Sequence, residues 1–495
     1  MKLLLKRIGI DTHRESIAFL DDHNPIGDAL GLHPMDRIAV SANGRRVLAV
    51  LNMVEGSLVS DGAIGLSNVA FEKLGANDGT CVDVTPAEPP VSVDLLRRKM
   101  AGSEISSHNL REIVVDIVEG RYSKVELTAF VAVAAINGLS DNEIMGLTNA
   151  MIESGDQLHF DNPIVADKHS TGGVPGNRTT PIVASITAAA GLIIPKTSSR
   201  SITSPAGTAD TMETLMDVEL PIERIYNVVR SEHGCLAWGG ALNLAPADDM
   251  IIQVEHPLNI DAESLMISSI LAKKKAAGAT DVVLDIPVGI GTKAETTEKA
   301  ERLRQRFQNL GSRLGLNIRG LLTDGSQPIG NGIGPVLEAN DVIKVLTNDP
   351  AAPRDLREKS LYLAGELLEL TGKPSGEGYK IAEEILTSGR AYEKFERIRE
   401  LQGRRERPPL GSHSQEIFAK KKGRIHTIRN RIISRAAQLS GAPHNPGAGV
   451  YLEKHVNDLV DEGQLLLTIY ARSQESLTFA TRYWAENSDM GIAIV

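Results

Sequence analysis

Two long loops constrain this chain more than any other feature. The first reads Asp167-Lys-His-Ser-Thr-Gly-Gly-Val-Pro-Gly-Asn177, between a strand candidate at Pro163–Ala166 and a helical pattern over Thr180–Ala190 closed by Gly191. The second, Lys196–Asp210, follows a strand candidate at Leu192–Pro195 and packs seven hydroxyls, one Arg and one Lys into 15 positions. A repeated strand, Gly/Ser loop and helix calls for an α/β layer architecture. Ala276–Val288 adds a further strand, with the Val-Val-Leu-Asp-Ile run of a buried parallel sheet. Loops after parallel strands converge at the carboxyl edge of the sheet, where ligands bind.

The loop chemistry suits an anion. Glycines let backbone N–H groups approach a ligand closely, and a following helix adds partial positive charge. Lys168 supplies a full charge, while Ser170 and Thr171 supply hydroxyl donors. Two more Gly-bearing loops, Val288–Lys293 and Gly325–Gly334, are expected to complete a crevice for a ligand rich in oxygens. No Gly-x-x-x-x-Gly-Lys-Ser/Thr, His-Glu-x-x-His or Gly-x-Ser-x-Gly occurs, and Gly289-x-Gly291-x-x-Ala294 lacks the acidic residue of a dinucleotide site. Ser269 and Lys273 share a helix face at i, i+4, within a Lys273–Lys275 run that reads as mostly solvated. Asp261, just before that helix, is equally a candidate N-cap and a candidate acid.

Elsewhere, residues 1–85 read as a small β-rich N-terminal domain, with apolar runs at Arg37–Ala42, Arg46–Val54 and Thr80–Val84. The segment 85–91, with three prolines, reads as a linker. Residues 92–157 take helical period, with Leu110, Ile113, Val114, Ile117 and Val118 on one face. Capping patterns stand at Asn109/Glu112, Ser123/Glu126 and Ser140/Glu143. The expected organisation is a helical domain from 92–157 and 245–275, an α/β phosphate-binding domain from 158–244 and 276–430, and a C-terminal α/β subdomain from 431–495.

With 53 Lys plus Arg against 63 Asp plus Glu, the net charge of −10 and 4% aromatic content argue against a nucleic-acid binder. The basic stretch 403–435 reads as a solvated, partly paired face. Two cysteines outside any Cys-x-x-Cys make neither a disulfide framework nor a structural zinc site. The longest uncharged stretch, Thr179–Pro195, holds two prolines and suits a buried helix and strand better than a membrane span. The N-terminal residues lack a signal peptide's apolar core, so a cytoplasmic location is expected.

At the two loops, Lys168-His-Ser-Thr-Gly-Gly-Val with Ser198-Ser-Arg-Ser-Ile-Thr-Ser-Pro-Ala-Gly-Thr-Ala-Asp210 resembles the thymidine and pyrimidine-nucleoside phosphorylase family. The likeness runs over roughly residues 92–490 and includes Ser269-Ile-Leu-Ala-Lys-Lys274 and Val288-Gly-Ile-Gly291. The extra N-terminal domain and the run Ser199–Ser204 look like the branch that contains the AMP phosphorylases. The resemblance implies a helical domain hinged to a larger α/β domain, usually in a homodimer, and reversible phosphorolysis of an N-glycosidic bond. It implies that Lys168, Ser170, Ser198 and Thr208 hold inorganic phosphate, the co-substrate, with no metal or other cofactor. His169 should lie near sugar or base, and Ser269 and Lys273 should face the base. In the AMP-type branch, Gly173, Ser199, Arg200, Ser201, Ile202, Thr203, Ser204, Thr208, Ser269 and Lys293 should contact the nucleotide, with Asp261 as proton donor.

Two departures bear on the substrate. Pyrimidine-specific relatives carry an Arg shortly before the equivalent of Asp261, whereas Val254-Glu-His-Pro-Leu-Asn-Ile-Asp261 has none. Lys293 stands where those relatives have an apolar residue, and a lysine there suits a 5′-phosphate. The expectation is therefore phosphorolysis of AMP, with CMP and UMP as further candidates. Thymidine phosphorolysis and non-catalytic nucleotide binding are the alternatives. The expected partners are a nucleotide or nucleoside and phosphate, in a homodimer or larger homo-oligomer, without membrane or nucleic acid.

Overall fold

The computed structural model describes residues 1–12, 15–201, 204–258 and 260–495, which divide into two compact units, Met1–Asn137 and Gly138–Val495.

The first unit begins with a closed barrel. Its strands are β1 (Lys2–Arg7), β2 (Ile17–Asp21), β3 (Arg37–Ala42), β4 (Arg45–Val54), β5 (Ala63–Leu66) and β6 (Cys81–Pro86), in the order β1-β5-β2-β4-β3-β6. The pairs β1/β5 and β2/β4 are parallel. Alternate residues such as Leu3, Leu5, Ile38, Val40, Val82 and Val84 fill the interior, which is the period-two pattern of a one-sided strand. The expected linker starts later than 85, because β6 runs on to Pro86, which opposes Ile38. Helices Val93–Met100, Ser107–Val118 and Lys124–Asn137 complete the unit. Ser107–Val118 buries Leu110, Ile113, Val114 and Ile117, but its cap is Ser106, whose hydroxyl accepts from Asn109 N at 3.3 Å. Asn109 is thus inside the helix and not its cap. The Ser123/Glu126 and Ser140/Glu143 patterns both cap helices.

The boundary between the units falls inside the stretch 92–157 expected as one domain. Helix Asp141–Glu153 belongs to the second unit and packs on helix Glu263–Ala276. In that unit β7 (Ala166–Ser170), β10 (Asp281–Val288) and β11 (Asn317–Asp324) run parallel in the order β11-β10-β7. A second parallel pair, β8 (Ile194–Ser198) and β9 (Gly234–Trp238), connects to β7 through a parallel bridge from Val165 to Ile193. Helix Thr179–Ala189 is buried on nearly every side, which explains its uncharged sequence. Its Ile182, Val183 and Ile186 join a core with Leu361, Leu367 and Phe395. Three strand expectations shift: β7 and β8 start later than Pro163 and Leu192, and Ala276–Val288 divides into a helix end and the strand from Asp281.

The C-terminal layer starts before residue 431. Its four-stranded sheet pairs β12 (Gly332–Ile333), β13 (His413–Phe418), β15 (Gly449–Leu452) and β17 (Leu465–Ala471), beside the short sheet of β14 (Gly423–Ile428), β16 (Leu459–Val460) and β18 (Ile492–Ile494). The basic stretch is partly paired: Arg404 to Glu396, Arg405 to Asp217, Lys420 to Asp489 and Lys422 to Asp461. Among the described residues, no helix is long and apolar enough to cross a membrane.

Candidate active site

A cavity of about 340 Å³ opens at the carboxyl ends of β7, β8 and β9. Its other wall is helical, from Pro246–Leu258 and Glu263–Ala276. The structure brings together at this cavity Lys168, His169, Ser170, Gly173, Ser198, Ser199, Arg200, Ser204, Thr208, Asp261, Ser269, Lys273 and Lys293. Ser201 is adjacent, with its backbone N–H on Asp210 at 2.6 Å. Ile202 and Thr203 lie outside the described residues.

Lys168, His169 and Ser170 stand on β7 itself and not on the loop expected there. Lys168 is 1% exposed, and its Nζ donates to Thr179 Oγ1 at 2.8 Å and stands 4.0 Å from Asp285 Oδ2. Burial pushes this ammonium down to about 8, against the pull of Asp285. His169 is driven well below its ordinary value by burial and by the ammonium groups of Lys274, Lys196 and Lys168, so it is a neutral imidazole at pH 7. Gly173 has φ +89°, and a Cβ there would stand 2.5 Å from Thr292 Cα. Only glycine lets the first loop pass so close to the loop that carries Lys293.

The second loop is braced mostly by its own partners. Arg200 lies 4.6 Å above the Trp238 ring and pairs with Glu213, Asp210 and Glu219. Asp210 accepts from the Ser201 and Gly207 N–H groups at 2.6 and 2.8 Å. Arg178 donates to Thr208 Oγ1 at 2.8 Å and to Ala206 O at 2.9 Å, and is itself ion-paired to buried Glu338. The hydroxyl of Ser198 donates to Ala237 O at 3.3 Å.

On the helical wall, Asp248 organises both base-facing candidates. Its Oδ2 accepts from Ser269 Oγ at 2.8 Å and pairs with Lys273 Nζ at 2.6 Å. Asp249 adds a contact to Lys273 at 3.3 Å. Burial works against the Lys273 charge, but these two carboxylates outweigh it and raise its pKa. Asp261 is not the cap of Glu263–Ala276, since Ala262 takes that position. It pairs instead with Lys293 Nζ at 2.6 Å.

The Lys273–Lys275 run is not solvated: Lys274 is 2% exposed and bonds to Asp167, which also binds Lys196. Asp167 is adjacent to the Lys-His-Ser motif and Lys196 opens the second loop, so both were within reach of the sequence. Asp248, Asp249 and Glu255 carried no motif signal. The fourth loop is a correction: residues 325–334 do not line the cavity. Gly332–Ile333 pairs with Val450 and Tyr451, so this loop ties the α/β core to the C-terminal sheet.

Residues 93–155 match the helical bundle domain of a glycosyl transferase family, 162–392 match that family's a/b domain, and 424–489 match the pyrimidine nucleoside phosphorylase C-terminal domain. A protein of Methylococcus capsulatus named "Putative thymidine phosphorylase" is 47% identical over 494 residues, 99% of this chain and 96% of its own length. One of the same name from Albidiferax ferrireducens is 46% identical, over 98% of this chain and 94% of its own. Among solved structures, anthranilate phosphoribosyltransferase from Thermus thermophilus shares the fold, with a TM-score of 0.53 at 20% identity, covering 62% of this chain and 99% of its own. The matched domains and these near full-length relatives place the chain, as a pentosyltransferase, in the thymidine and pyrimidine-nucleoside phosphorylase family.

Proposed function

We propose that the chain catalyses reversible phosphorolysis of a nucleoside 5′-monophosphate, AMP first and CMP and UMP with it, giving free base and ribose 1,5-bisphosphate. The observation that carries this reading is Lys293, a cation on the cavity wall beside Asp261, with no Arg in the stretch before Asp261. A thymidine offers that lysine no charge to bind. Lys168, Ser170, Ser198 and Thr208 hold the attacking phosphate, and Ser269 and Lys273 meet the base. The incoming phosphate's charge stabilises an oxocarbenium-like transition state, while a carboxyl acid on the helical wall protonates the base as it leaves. Asp261 is the residue the motif designates for that proton. Inorganic phosphate is the only co-substrate, and the enzyme works in the cytoplasm as a homodimer or larger homo-oligomer.

The relatives' printed name supports a second reading, thymidine phosphorolysis to thymine and 2-deoxyribose 1-phosphate. Phosphate-dependent base release from AMP, CMP, UMP, thymidine and uridine separates the two. Release from the monophosphates alone is expected. Release from thymidine or uridine alone overturns the nucleotide reading and leaves the second.

A further inference from the structure

A second cavity, of about 540 Å³, shares no lining residue with the active site. Its walls are the loop after β10, the start of helix Asn430–Leu439 and the end of helix Gln474–Gly491. Arg429 and Arg431 line it, and neither guanidinium pairs with a described residue. The two acids in the same walls are engaged. Glu295 accepts from Gly291 N at 3.0 Å, and Asp489 pairs with Lys420 at 3.2 Å. The uncommitted charge is therefore positive. Helix Asn430–Leu439 starts here without a side-chain cap, and a helix start attracts an anion. Asn430 is 3% exposed. Its Nδ2 donates to Gly325 O at 2.8 Å, while its Oδ1 has no partner among the described residues. A buried amide oxygen calls for a donor, which a ligand with a hydroxyl or amino group supplies. Ile290 and Met490, 63% and 60% exposed, give the cavity an apolar surface.

We propose that this cavity is a second nucleotide-binding site, separate from the catalytic one. The phosphate group lies against Arg429, Arg431 and the helix start, where two charges and the dipole act together. The base rests on Ile290 and Met490, and a sugar hydroxyl or base amino group donates to Asn430 Oδ1. Each part of a nucleotide thus meets a matching feature, whereas a bare anion would use only the first. The two walls are in close contact. Gly291 has φ +87°, and a Cβ there would stand 3.4 Å from Arg431 Cγ. Lys293, two residues further on, lines the catalytic cavity. One short loop therefore borders both cavities, and a test must separate binding at the two. The proposal is independent of which substrate the catalytic cavity turns over.

The test is calorimetric titration of the full-length protein with AMP, in the absence of inorganic phosphate so that no turnover occurs. Wild type should show an AMP-binding component that the double variant Arg429→Gln/Arg431→Gln weakens by at least about 100-fold, the loss of two charge-assisted contacts. Lys293→Met, on the catalytic side, should leave that component unchanged. The double variant should keep the wild-type kcat for phosphorolysis within about twofold. Ile290→Glu places a negative charge in the cavity from an exposed position and should weaken the same component, so it decides the matter if the double variant fails to fold. AMP binding that neither the arginine nor the Ile290 substitution weakens overturns the proposal. So does a wild type that binds no AMP, or one whose whole AMP binding is lost in Lys293→Met.

Discussion

Lys196 Nζ stands 3.0 Å from Asp167 Oδ1, with both side chains 3% exposed. Lys274 bonds to the other carboxylate oxygen, so one buried carboxylate serves two buried ammonium groups. Burial pushes the Lys274 ammonium below its ordinary value, with Asp167 opposing the shift and Lys196 adding repulsion. The three residues come from β7, β8 and helix Glu263–Ala276, so the cluster fastens the helical wall to the sheet. Removing the shared carboxylate leaves uncompensated buried charge. Asp167→Asn should therefore cost about 3–5 kcal/mol of stability, read as a lower urea midpoint with an unchanged slope. A loss below about 1 kcal/mol would overturn the fastening role of the shared carboxylate.

Lys168 gives a pH dependence with a definite sign. Its pKa is lowered to about 8, so the ammonium form is present below that pH and lost above it. Charge on this lysine is what an incoming phosphate would meet. Phosphate affinity should fall by about tenfold per unit above about pH 8, a range in which phosphate itself stays a dianion. Calorimetric titration of the enzyme with inorganic phosphate between about pH 7 and pH 10 checks it. A profile flat to pH 10 would place the phosphate charge on another group.

The fold class and the two cavity loops were legible because glycine and hydroxyl clusters after apolar runs have few structural uses. What escaped was set by tertiary burial. Lys168–Ser170 continue a strand because Val283, Leu284 and Asp285 of β10 pair with them, a long-range cause that no local pattern reveals. Lys274 reads as one of three surface lysines until Asp167, 107 residues away, is seen to take it inside. Asp248 and Glu255 look like ordinary polar positions of a helix, and only the packing of Pro246–Leu258 over the cavity turns that face inward. The Gly325–Gly334 loop has the composition of a ligand loop, yet its Gly332 and Ile333 pair with β15.

Asp248 sets the geometry of Ser269 and Lys273, the pair proposed to meet the base, without lining the cavity itself. Asp248→Asn keeps an acceptor for Ser269 but removes the charge opposite Lys273. Lys273 then keeps only the 3.3 Å contact with Asp249. KM for the nucleotide should rise by about tenfold, equivalent to about 1.4 kcal/mol, while KM for phosphate stays within about twofold. An equal rise in both constants would point to a general loosening of the helical wall.

Lys293 is where substrate choice is decided in the nucleotide reading. Lys293→Met keeps most of the side-chain bulk and removes only the ammonium. A charge-assisted hydrogen bond to a 5′-phosphate is worth about 1.5–3 kcal/mol, so kcat/KM for AMP should fall by about 10–100-fold. A nucleoside lacking that phosphate should be used no worse than before. The partner carboxylate, Asp261, is half exposed and can be solvated by water, so the melting temperature should hold to within a degree or two. The ratio of AMP to unphosphorylated nucleoside turnover is thus the decisive quantity. If it is unchanged in Lys293→Met, the lysine contributes nothing to recognition of the 5′ end, and the preference for a monophosphate loses its physical basis.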